Sequence, residues 1–403
     1  MNYTEQRITD MPELFEPTII NGMELKNRIV KSATLENMAT LGGLPTESTL
    51  KFYRRLAKGG TGLIIAGYAY VNKDGRSYPL QNGAHTDAII ERWRPVTETV
   101  HEHGSKIAMQ IVHGGRQTKP LPLEKHLQLA PSAVPNMVYF TRPKRMSEEQ
   151  IWQTISDFAD AAGRAVKAGF DAVQIHAAHG YLISSFLSPV TNRRKDAWGG
   201  SIKGRFRFLE EVYKAVRSRV GEDFPVLAKL NIIDFVPFGL TPGNSFPVAQ
   251  FLAELGLDAL EISGGIAETA LGMCRGDSPA KVITRNKSLP GRLYFTLSLA
   301  GMKAMLPFRE NYYLDYAKRL KPTLNIPLIL VGGIRNPMAA RDILRSGHAD
   351  FISLARPLVR EPSLPNKWLK GSMESASCTS CNRCLGEAEQ GNILRCHLTN
   401  DEA

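Results

Sequence analysis

The chain has 403 residues, of which 43% are apolar and 22% charged, so it can bury a large core. No window reaches about 18 continuous apolar residues, so we expect no membrane-spanning helix. The formal net charge is +11 at pH 7, but the lysines and arginines are scattered, which favours a basic enzyme surface over a nucleic-acid binder.

The predicted elements alternate between strand and helix along most of the chain. A hairpin signal, TIINGMEL, comes first at Thr18–Leu25, with Asn-Gly at its turn. Eight β-rich runs follow in the order RIVKSA, GLIIAGYAYV, KIAMQIVH, AVQIHA, PVLAKLNI, ALEISGG, PLILVGG and FISLARP. Longer amphipathic runs between them, such as TLKFYRRLAKGG and GRFRFLEEVYKAVRSRVG, predict helices that end at glycine.

This alternation predicts the α/β class. Strands that alternate with helices need crossover connections and therefore form a parallel sheet. Eight such units favour a single closed (β/α)8 TIM barrel over an open doubly wound sheet. Two long segments interrupt the repeat, Gly114–Arg145 and Ile266–Phe308, and we expect them to shape a substrate pocket. We predict a barrel over residues 1–366 and a tail with four cysteines over residues 367–403.

Polar and small residues stand where the predicted strands end, and that end of a barrel carries the reactive groups. They are Ser32, Ala33, Thr34, Gln110, His113, His176, His179, Tyr181, Lys229, Gly332, Gly333, Ala355 and Arg356. The glycine pair and Arg356 predict a phosphate site, because backbone N–H groups can approach there and the guanidinium adds charge. Three roles are possible for His176 and His179, which could contact a substrate, bind zinc or be structural side chains.

Longer motifs resemble the Old Yellow Enzyme family of FMN-dependent NAD(P)H oxidoreductases. They are KNRIVKSAT at 26–34, MQIVHGGR at 109–116, HAAHGY at 176–181, NRRKDAWGGS at 192–201, RFRF at 205–208, and the late VGGI and LARP. The resemblance covers nearly the whole chain in the family's order and spacing. It implies a flavin at the mouth of the barrel.

The resemblance implies roles for the residues of an FMN site. Ser32, Ala33 and Thr34 are similar to the first-strand segment that meets the flavin ring, and Gln110 to the glutamine that pairs with its pyrimidine edge. Lys229 takes the place of the basic residue beside flavin N1 and O2, where a cation stabilises the anionic reduced flavin. The residues implied for the FMN phosphate are Gly332, Gly333, Ala355 and Arg356.

The resemblance also implies how an electron-poor alkene is reduced. His176 and His179 resemble the pair that hydrogen-bonds the carbonyl or nitro oxygen, so that the β-carbon accepts hydride from flavin N5. Tyr181 resembles the tyrosine that gives a proton to the α-carbon. In the expected ping-pong reaction NAD(P)H reduces FMN and leaves, and an enone, an enal, or an enoyl or dienoyl thioester then enters the same site.

Three residues depart from the family pattern around this site. Leu35 stands where relatives often carry Cys or Thr, and Asn37 replaces an aromatic residue. Tyr68 follows Gly67 where a small residue is common, so we expect a narrower pocket. The flavin site survives these changes, whereas the substrate preference would differ from that of better-known relatives.

Four of the five cysteines stand in the tail, at Cys378, Cys381, Cys384 and Cys396. Their spacing suits a [4Fe–4S] cluster, and a tetrahedral zinc site and plain reduced thiols are the alternatives. The segment also resembles the cluster region of the 2,4-dienoyl-CoA reductases and trimethylamine dehydrogenase, where the gap before the third cysteine is one residue longer. The uneven distribution of cysteines favours a reducing compartment.

The sequence therefore predicts a cytoplasmic, FMN-dependent ene-reductase. Its expected partners are a small alkene and a nicotinamide cofactor, with no nucleic acid and no membrane, in a homo-oligomer. The polar N-terminal run lacks the pattern of a signal peptide. Two other function classes stay open, which are a metal-dependent barrel hydrolase built on the histidines and a redox sensor or electron-transfer partner built on the tail cysteines.

Overall fold

The computed structural model describes residues 12–119 and 127–398. Its centre is a closed barrel of eight parallel strands, which confirms the predicted fold. The barrel strands, named here the first to the eighth, are Ile29–Lys31, Leu63–Tyr70, Lys106–Val112, Ala172–Ala177, Val226–Asn231, Ala259–Ser263, Leu328–Val331 and Phe351–Leu354. The predicted N-terminal run and part of Gly114–Arg145 lie outside the described residues.

Helices surround the barrel and also form the long segments and the tail. The α-helices are Pro12–Phe15, Glu47–Lys58, Ala88–His101, Glu148–Lys167, Leu182–Leu187, Ile202–Val220, Pro242–Glu254, Ala270–Met273, Ala280–Ile283, Leu289–Met305, Leu314–Leu320, Pro337–Arg345, Arg356–Arg360, Leu364–Leu369 and Arg383–Glu389. Short 3-10 turns cover Lys73–Gly75, Gly115–Gln117, Ala267–Thr269 and Lys321–Thr323. Within the described ranges, no helix has the length and apolarity needed to cross a bilayer.

The helix Glu148–Lys167 shows how local sequence sets an element. Ser147 accepts a hydrogen bond from the backbone N–H of Gln150, and the Gln150 side chain accepts one from the backbone N–H of Ser147. This capping box satisfies two N–H groups that the helix itself leaves without partners. Ile151, Ile155 and Phe158 follow at helical spacing and are buried against the barrel.

The N-terminal hairpin closes the bottom of the barrel. Strands Thr18–Ile20 and Met23–Leu25 pair in antiparallel fashion. Asn21 and Gly22 make the turn with φ of 40° and 74°, as a two-residue hairpin of this twist requires. The inward side chains of the hairpin pack against residues at the starts of the barrel strands, so water is excluded from that end.

The barrel interior is apolar below and polar above. On six strands an inward apolar residue near the start is followed two positions later by a polar one, because side chains on one face of a strand recur every two residues. The pairs are Val30 and Ser32, Ala108 and Gln110, Ala172 and Gln174, Leu227 and Lys229, Ala259 and Glu261, and Phe351 and Ser353. The polar layer faces the carboxyl end of the strands.

The C-terminal tail packs against the barrel. The boundary predicted at residue 366 falls inside the helix Leu364–Leu369, whose Trp368 is fully buried in the main core. Farther along, the Asn37 side chain donates to the carbonyl oxygens of Ala388 at 2.6 Å and Asn392 at 3.1 Å. Asn37 therefore holds the tail in place, and the division into barrel and tail stays a prediction.

Candidate active site

One cavity of about 360 Å³ opens at the carboxyl end of the barrel strands. It is lined by every residue predicted for the flavin and the substrate, namely Ser32, Ala33, Thr34, Gln110, His176, His179, Tyr181, Lys229, Gly332, Gly333, Ala355 and Arg356. The segment after the sixth strand adds Phe295 and Leu299, and the tail adds Leu385 and Glu389. The volume lies within the range of small-molecule sites, about 300–1,000 Å³. His113 is buried beside the cavity and does not line it.

The floor of the cavity holds a buried ion pair. Lys229 Nζ lies 3.2 Å from Glu261 Oε2 and donates to Ser32 Oγ at 2.7 Å. Lys229 and Glu261 are neighbours in register on the fifth and sixth strands, so the sheet holds the two charges together. A carboxylate without solvent contact needs such partners to offset the loss of its hydration.

Further hydrogen bonds extend this network across the barrel. Glu261 Oε1 accepts from the hydroxyls of Ser32 at 2.8 Å and Ser353 at 2.9 Å. Gln174 donates to Glu261 Oε2 at 3.0 Å, and Gln110 donates to Gln174 Oε1 at 2.6 Å. Gln110, Ser32 and Lys229 are therefore held in fixed orientations at the cavity floor.

His176 presents a neutral imidazole to the cavity. Burial, followed by the nearby His179 and the Lys229 ammonium, lowers the pKa of His176 well below its usual value. Its Nδ1 accepts a hydrogen bond from the backbone N–H of Ala178 at 3.2 Å. The proton of the neutral ring is thereby assigned to Nε2, which can donate to a ligand.

His179 lies beside His176, with ring centroids 5.0 Å apart and the rings edge to face. Burial and, to a smaller extent, the Lys229 ammonium lower the pKa of His179 to about 3, so this ring is neutral too. His179 Nε2 lies 2.7 Å from Ser263 Oγ. Its backbone has φ of 64° and donates to Asn231 Oδ1, so the ring position is built into the loop.

Tyr181 completes the group above the histidines. Its ring lies 4.9 Å from the His176 ring, and its hydroxyl donates to the Tyr68 hydroxyl at 2.9 Å. Burial raises the pKa of Tyr181 above its usual value, although its hydrogen bond with Tyr68 opposes the shift. Tyr181 is thus a protonated phenol near neutral pH. Tyr68 lines the cavity beside it, where the sequence predicted that its side chain would narrow the pocket.

The glycine pair after the seventh strand forms part of the opposite wall. Gly332 and Gly333 have φ of 121° and 76°. A Cβ on Gly332 would lie 2.7 Å from Tyr313 Cδ2, and one on Gly333 would lie 2.9 Å from the carbonyl oxygen of Arg309. Only glycine fits both the space and the conformation, and the backbone stays accessible from the cavity.

Arg356 lies between the cavity and the tail. Its guanidinium donates to Asn382 Oδ1 and, at 2.9 Å, to the carbonyl oxygen of Arg275. Arg356 also borders the small pocket into which the tail cysteines project. Part of its hydrogen-bonding capacity is therefore used to fasten the tail, and its role at an FMN phosphate stays a prediction.

Cys378, Cys381, Cys384 and Cys396 all line this second pocket. Burial raises the pKa of the Cys384 thiol to about 12, against the opposing effect of Arg356. The cysteines form no disulfide in the structure. Within the described residues, no three His, Cys, Asp or Glu side chains lie close enough together to hold a single metal ion.

Sequence reasoning missed three members of the floor network, which are Gln174, Glu261 and Ser353. Each is a polar residue that stands two positions after an inward apolar residue of a predicted strand. Polar side chains at such positions must find partners within the barrel. The period-two pattern was therefore a signal that could have identified all three.

Comparison with known proteins matches residues 13–275 to the NADH:flavin oxidoreductase / NADH oxidase family. The chain belongs to this family. It is 34% identical to an NADH oxidase of Thermoanaerobacter brockii, over 96% of this chain and 56% of that protein.

Two solved structures resemble this chain at 25% sequence identity. A 2-naphthoyl-CoA reductase complex has a TM-score of 0.82 and matches 96% of this chain and 57% of its own. An Old Yellow Enzyme homologue from Zymomonas mobilis has a TM-score of 0.70 and matches 91% of this chain and 96% of its own. These likenesses confirm the predicted membership of the Old Yellow Enzyme family. The chain spans little more than half the length of the NADH oxidase and the naphthoyl-CoA reductase.

Proposed function

We propose that this flavin oxidoreductase reduces activated C=C bonds with NAD(P)H as the electron source. The observation that carries the proposal is the convergence of His176, His179, Tyr181 and Lys229 on one cavity. Two neutral imidazoles, a protonated phenol and a buried ammonium are the groups that reduction of an electron-poor alkene requires.

The residues present fit an FMN at the cavity floor and wall. Lys229 with Ser32 and Gln110 would hold the pyrimidine edge of the ring, and the backbone at Gly332 and Gly333 leaves room for the phosphate. Ala33, Thr34, Ala355 and Arg356 complete the assigned set. Bound FMN supplies the hydride, while the Lys229 ammonium stabilises negative charge beside it.

The histidine pair would hold the carbonyl oxygen of the alkene substrate. The Nε2–H of His176 is the donor that remains for a substrate, because Nδ1 already accepts a hydrogen bond from the backbone N–H of Ala178. A neutral N–H donor strengthens its hydrogen bond as the oxygen gains charge, which makes the β-carbon a better hydride acceptor. His179, oriented by Ser263, would provide the second donor.

Tyr181 would give the proton to the α-carbon. Its phenol is held in the cavity by Tyr68, which can in turn stabilise the phenolate left after the transfer. The pKa raised by burial keeps the proton on Tyr181 until carbanion character develops nearby. The resulting reaction adds a hydride and a proton across the double bond.

The cavity walls favour an apolar alkene. Met137, Phe295 and Leu299 from the two long segments line it, as the sequence predicted for those segments. Enones, enals and enoyl or dienoyl thioesters all fit this chemistry, and the likeness to a 2-naphthoyl-CoA reductase structure supports the inclusion of thioesters.

Replacement of Tyr181 by Phe tests the proposal through the two half-reactions. We expect reduction of the bound flavin by NADPH or NADH to proceed at nearly the wild-type rate, because that step needs no proton from Tyr181. Reoxidation by cyclohexenone should slow by about 10²–10⁴-fold, the usual contribution of a positioned proton donor. Anaerobic stopped-flow absorbance measures both steps.

Tyr139→Phe is the matched control, since Tyr139 lines the same cavity. Wild-type rates are expected for both half-reactions of that variant. Equal losses in both half-reactions of Tyr181→Phe would contradict the assigned role. A selective loss in Tyr68→Phe alone would assign the proton to Tyr68 instead.

We further propose that the four tail cysteines hold a [4Fe–4S] cluster. Their thiols share one pocket, and two cations stand beside them: Arg356 borders the pocket and Arg360 Nη1 lies 3.7 Å from Cys396 Sγ. Cationic neighbours suit a cluster whose thiolate ligands make it anionic. The spacing of the cysteines supports the same assignment.

Iron and acid-labile sulfide analysis of anaerobically purified protein tests the cluster. We expect about four of each per chain, and a loss of both in Cys381→Ser. Cys274→Ser is the control, because Cys274 lines the other cavity. Zinc in place of iron would contradict the cluster and support a zinc site. The absence of any metal would contradict it and support plain reduced thiols.

The two other function classes receive less support. The histidine pair has no further metal ligand close by in the described part of the chain, so a metal-dependent hydrolase is disfavoured. A redox sensor or electron-transfer role would not explain why the protein has an apolar cavity with Tyr181 in its wall. The cytoplasmic location and the homo-oligomeric state stay predictions.

A further inference from the structure

The segment of residues 280–309, here called the lid segment, lies over the cavity. It contains the helix Leu289–Met305. The inner side of this helix lines the cavity with Phe295, Leu299 and Met302. The apolar side chains on this face of the helix therefore serve as part of the cavity wall.

The opposite face of the helix exposes large apolar side chains. Leu289 is 80% exposed, Leu293 61% and Leu297 63%. The three leucines are four residues apart and form one stripe along the helix. Isolated exposed leucines need no explanation, but a continuous stripe marks an interaction surface.

A neighbouring loop exposes two further apolar side chains beside the helix. Phe140 is 65% exposed, and its ring centroid lies 5.6 Å from that of Tyr294 on the helix. Met137, on the same loop, is 52% exposed. The exposed leucine stripe of the helix, Leu289, Leu293 and Leu297, is named here the lid face.

The lid face is bordered by positive charge. The lid segment contains six basic residues and no acidic one, namely Lys281, Arg285, Lys287, Arg292, Lys303 and Arg309. Acidic residues outside the segment pair with two of them, since Asp277 binds Lys303 at 2.7 Å and Glu387 binds Arg285 at 2.7 Å. Both pairs are partly exposed, so water and salt weaken them, and the border keeps a net positive charge.

We propose that the lid face docks on the surface of an anionic lipid bilayer. A helix that exposes a stripe of leucines with Lys or Arg at its borders has side chains suited to lying in the plane of a membrane interface. Self-association is disfavoured, because a twofold interface would place the same basic border against itself. The sequence predicted no membrane partner, and peripheral docking would revise that expectation.

Docking would also bear on the substrate. The helix that meets the bilayer on one face lines the cavity on the other, so apolar alkenes dissolved in lipid would reach the cavity beneath it. This part of the inference rests on the proposed function. Docking itself does not, because it requires no turnover.

Vesicle sedimentation with the purified holoprotein tests the docking. We expect the protein to sediment with vesicles of phosphatidylglycerol and phosphatidylcholine in equal parts, and not with phosphatidylcholine alone. Added salt should weaken binding, because the basic border acts through screened charge. The substitutions Leu293→Glu and Leu297→Glu together should weaken binding by at least about tenfold, since they remove the apolar contact of these side chains with the bilayer.

Ile19→Glu is the matched control. Ile19 is 60% exposed on the hairpin at the other end of the barrel, so its replacement should leave vesicle binding unchanged. A second variant, Lys281→Gln with Arg292→Gln, should weaken binding to anionic vesicles while the leucine stripe remains. Unaltered flavin absorbance and flavin reduction by NADPH would show that these variants are folded.

Failure of the wild-type protein to bind anionic vesicles would overturn the proposal. Equal binding to neutral and anionic vesicles would also overturn it. A concentration-dependent dimer that Leu293→Glu and Leu297→Glu dissolve, without vesicle binding, would assign the lid face to a second copy instead. A wild-type protein that binds anionic vesicles but does not reduce alkenes would contradict the proposed function and still support docking.

Discussion

Glu261 is a fully buried carboxylate that accepts hydrogen bonds from two serines and a glutamine and pairs with Lys229. It does not line the cavity, so it acts on a ligand through Lys229 and Ser32. A negative charge 3.2 Å behind the ammonium offsets part of the positive charge that Lys229 can offer to a reduced flavin. Glu261 is in this sense a positioning and tuning residue.

Glu261→Gln should therefore raise the midpoint potential of the bound flavin. Removal of the carboxylate charge leaves more of the Lys229 charge to stabilise the anionic reduced form. We expect an upward shift of about 30 mV, which for a two-electron couple corresponds to about 1.4 kcal/mol. A spectroelectrochemical or dye-equilibration titration of the holoprotein measures it.

Ser353→Ala is the matched control for this prediction. It removes one hydrogen bond to Glu261 Oε1 and leaves every charge in place. Its potential should move by much less than that of Glu261→Gln. A downward shift in Glu261→Gln, or shifts of equal size in the two variants, would refute the charge argument.

The tail helix Arg383–Glu389 depends on the residue that precedes it. Asn382 has φ of 57° and is buried. Its side chain accepts from Arg356 and donates to the carbonyl oxygens of Cys274 at 2.9 Å and Asp277 at 3.1 Å. One side chain thus joins the tail to the helix that follows the eighth strand and to the long segment after the sixth.

Asn382→Ala should destabilise the protein by about 2–4 kcal/mol, because it leaves buried carbonyl and guanidinium groups without their partner. Urea unfolding followed by tryptophan fluorescence measures the change. Asn21→Ala is the matched control, since Asn21 has φ of 40° in an exposed turn and its side chain makes one exposed hydrogen bond, to the carbonyl oxygen of Glu222. That variant should lose only about 1 kcal/mol from the backbone conformation. Similar losses at the two sites would show that the buried hydrogen bonds contribute little.

The molecule as a whole buries several histidines in neutral form. Burial lowers the pKa of His113 to about 3, and that of His179 to about 3 as well. In the unfolded chain each binds a proton near pH 6.5. Between those values the unfolded state holds more protons than the folded state, so stability falls as the pH falls from about 6.5 towards 3.

His113→Gln should reduce this acid sensitivity. At pH 5 an unfolded histidine is mostly protonated, so each buried neutral histidine costs about 2 kcal/mol there and little at pH 7.5. We expect the loss of unfolding free energy between pH 7.5 and pH 5 to be smaller by about that amount in the variant. Urea unfolding at the two pH values measures both losses. An identical pH dependence in the variant and the wild type would contradict a neutral buried His113.

The tail shows the limit of reading organisation from the sequence. The sequence divided the chain at residue 366 into a barrel and a tail with four cysteines. Nothing in the linear order shows Trp368 inside the main core or Asn37 bonded to the tail helix. The same holds for Leu385 and Glu389, which line the substrate cavity from the far end of the chain. Contacts between segments so distant in sequence carry no periodic signal.

The fold followed from local patterns, because strand and helix periods and the Asn-Gly turn are written residue by residue. The candidate residues at the strand ends followed as well, since parallel strands bring their carboxyl ends to one edge. The pairing of Lys229 with Glu261, the contact of Tyr181 with Tyr68 and the exposed lid face arose only when the barrel closed. They depend on register and on packing between remote segments, and both are properties of the folded chain rather than of any stretch of it.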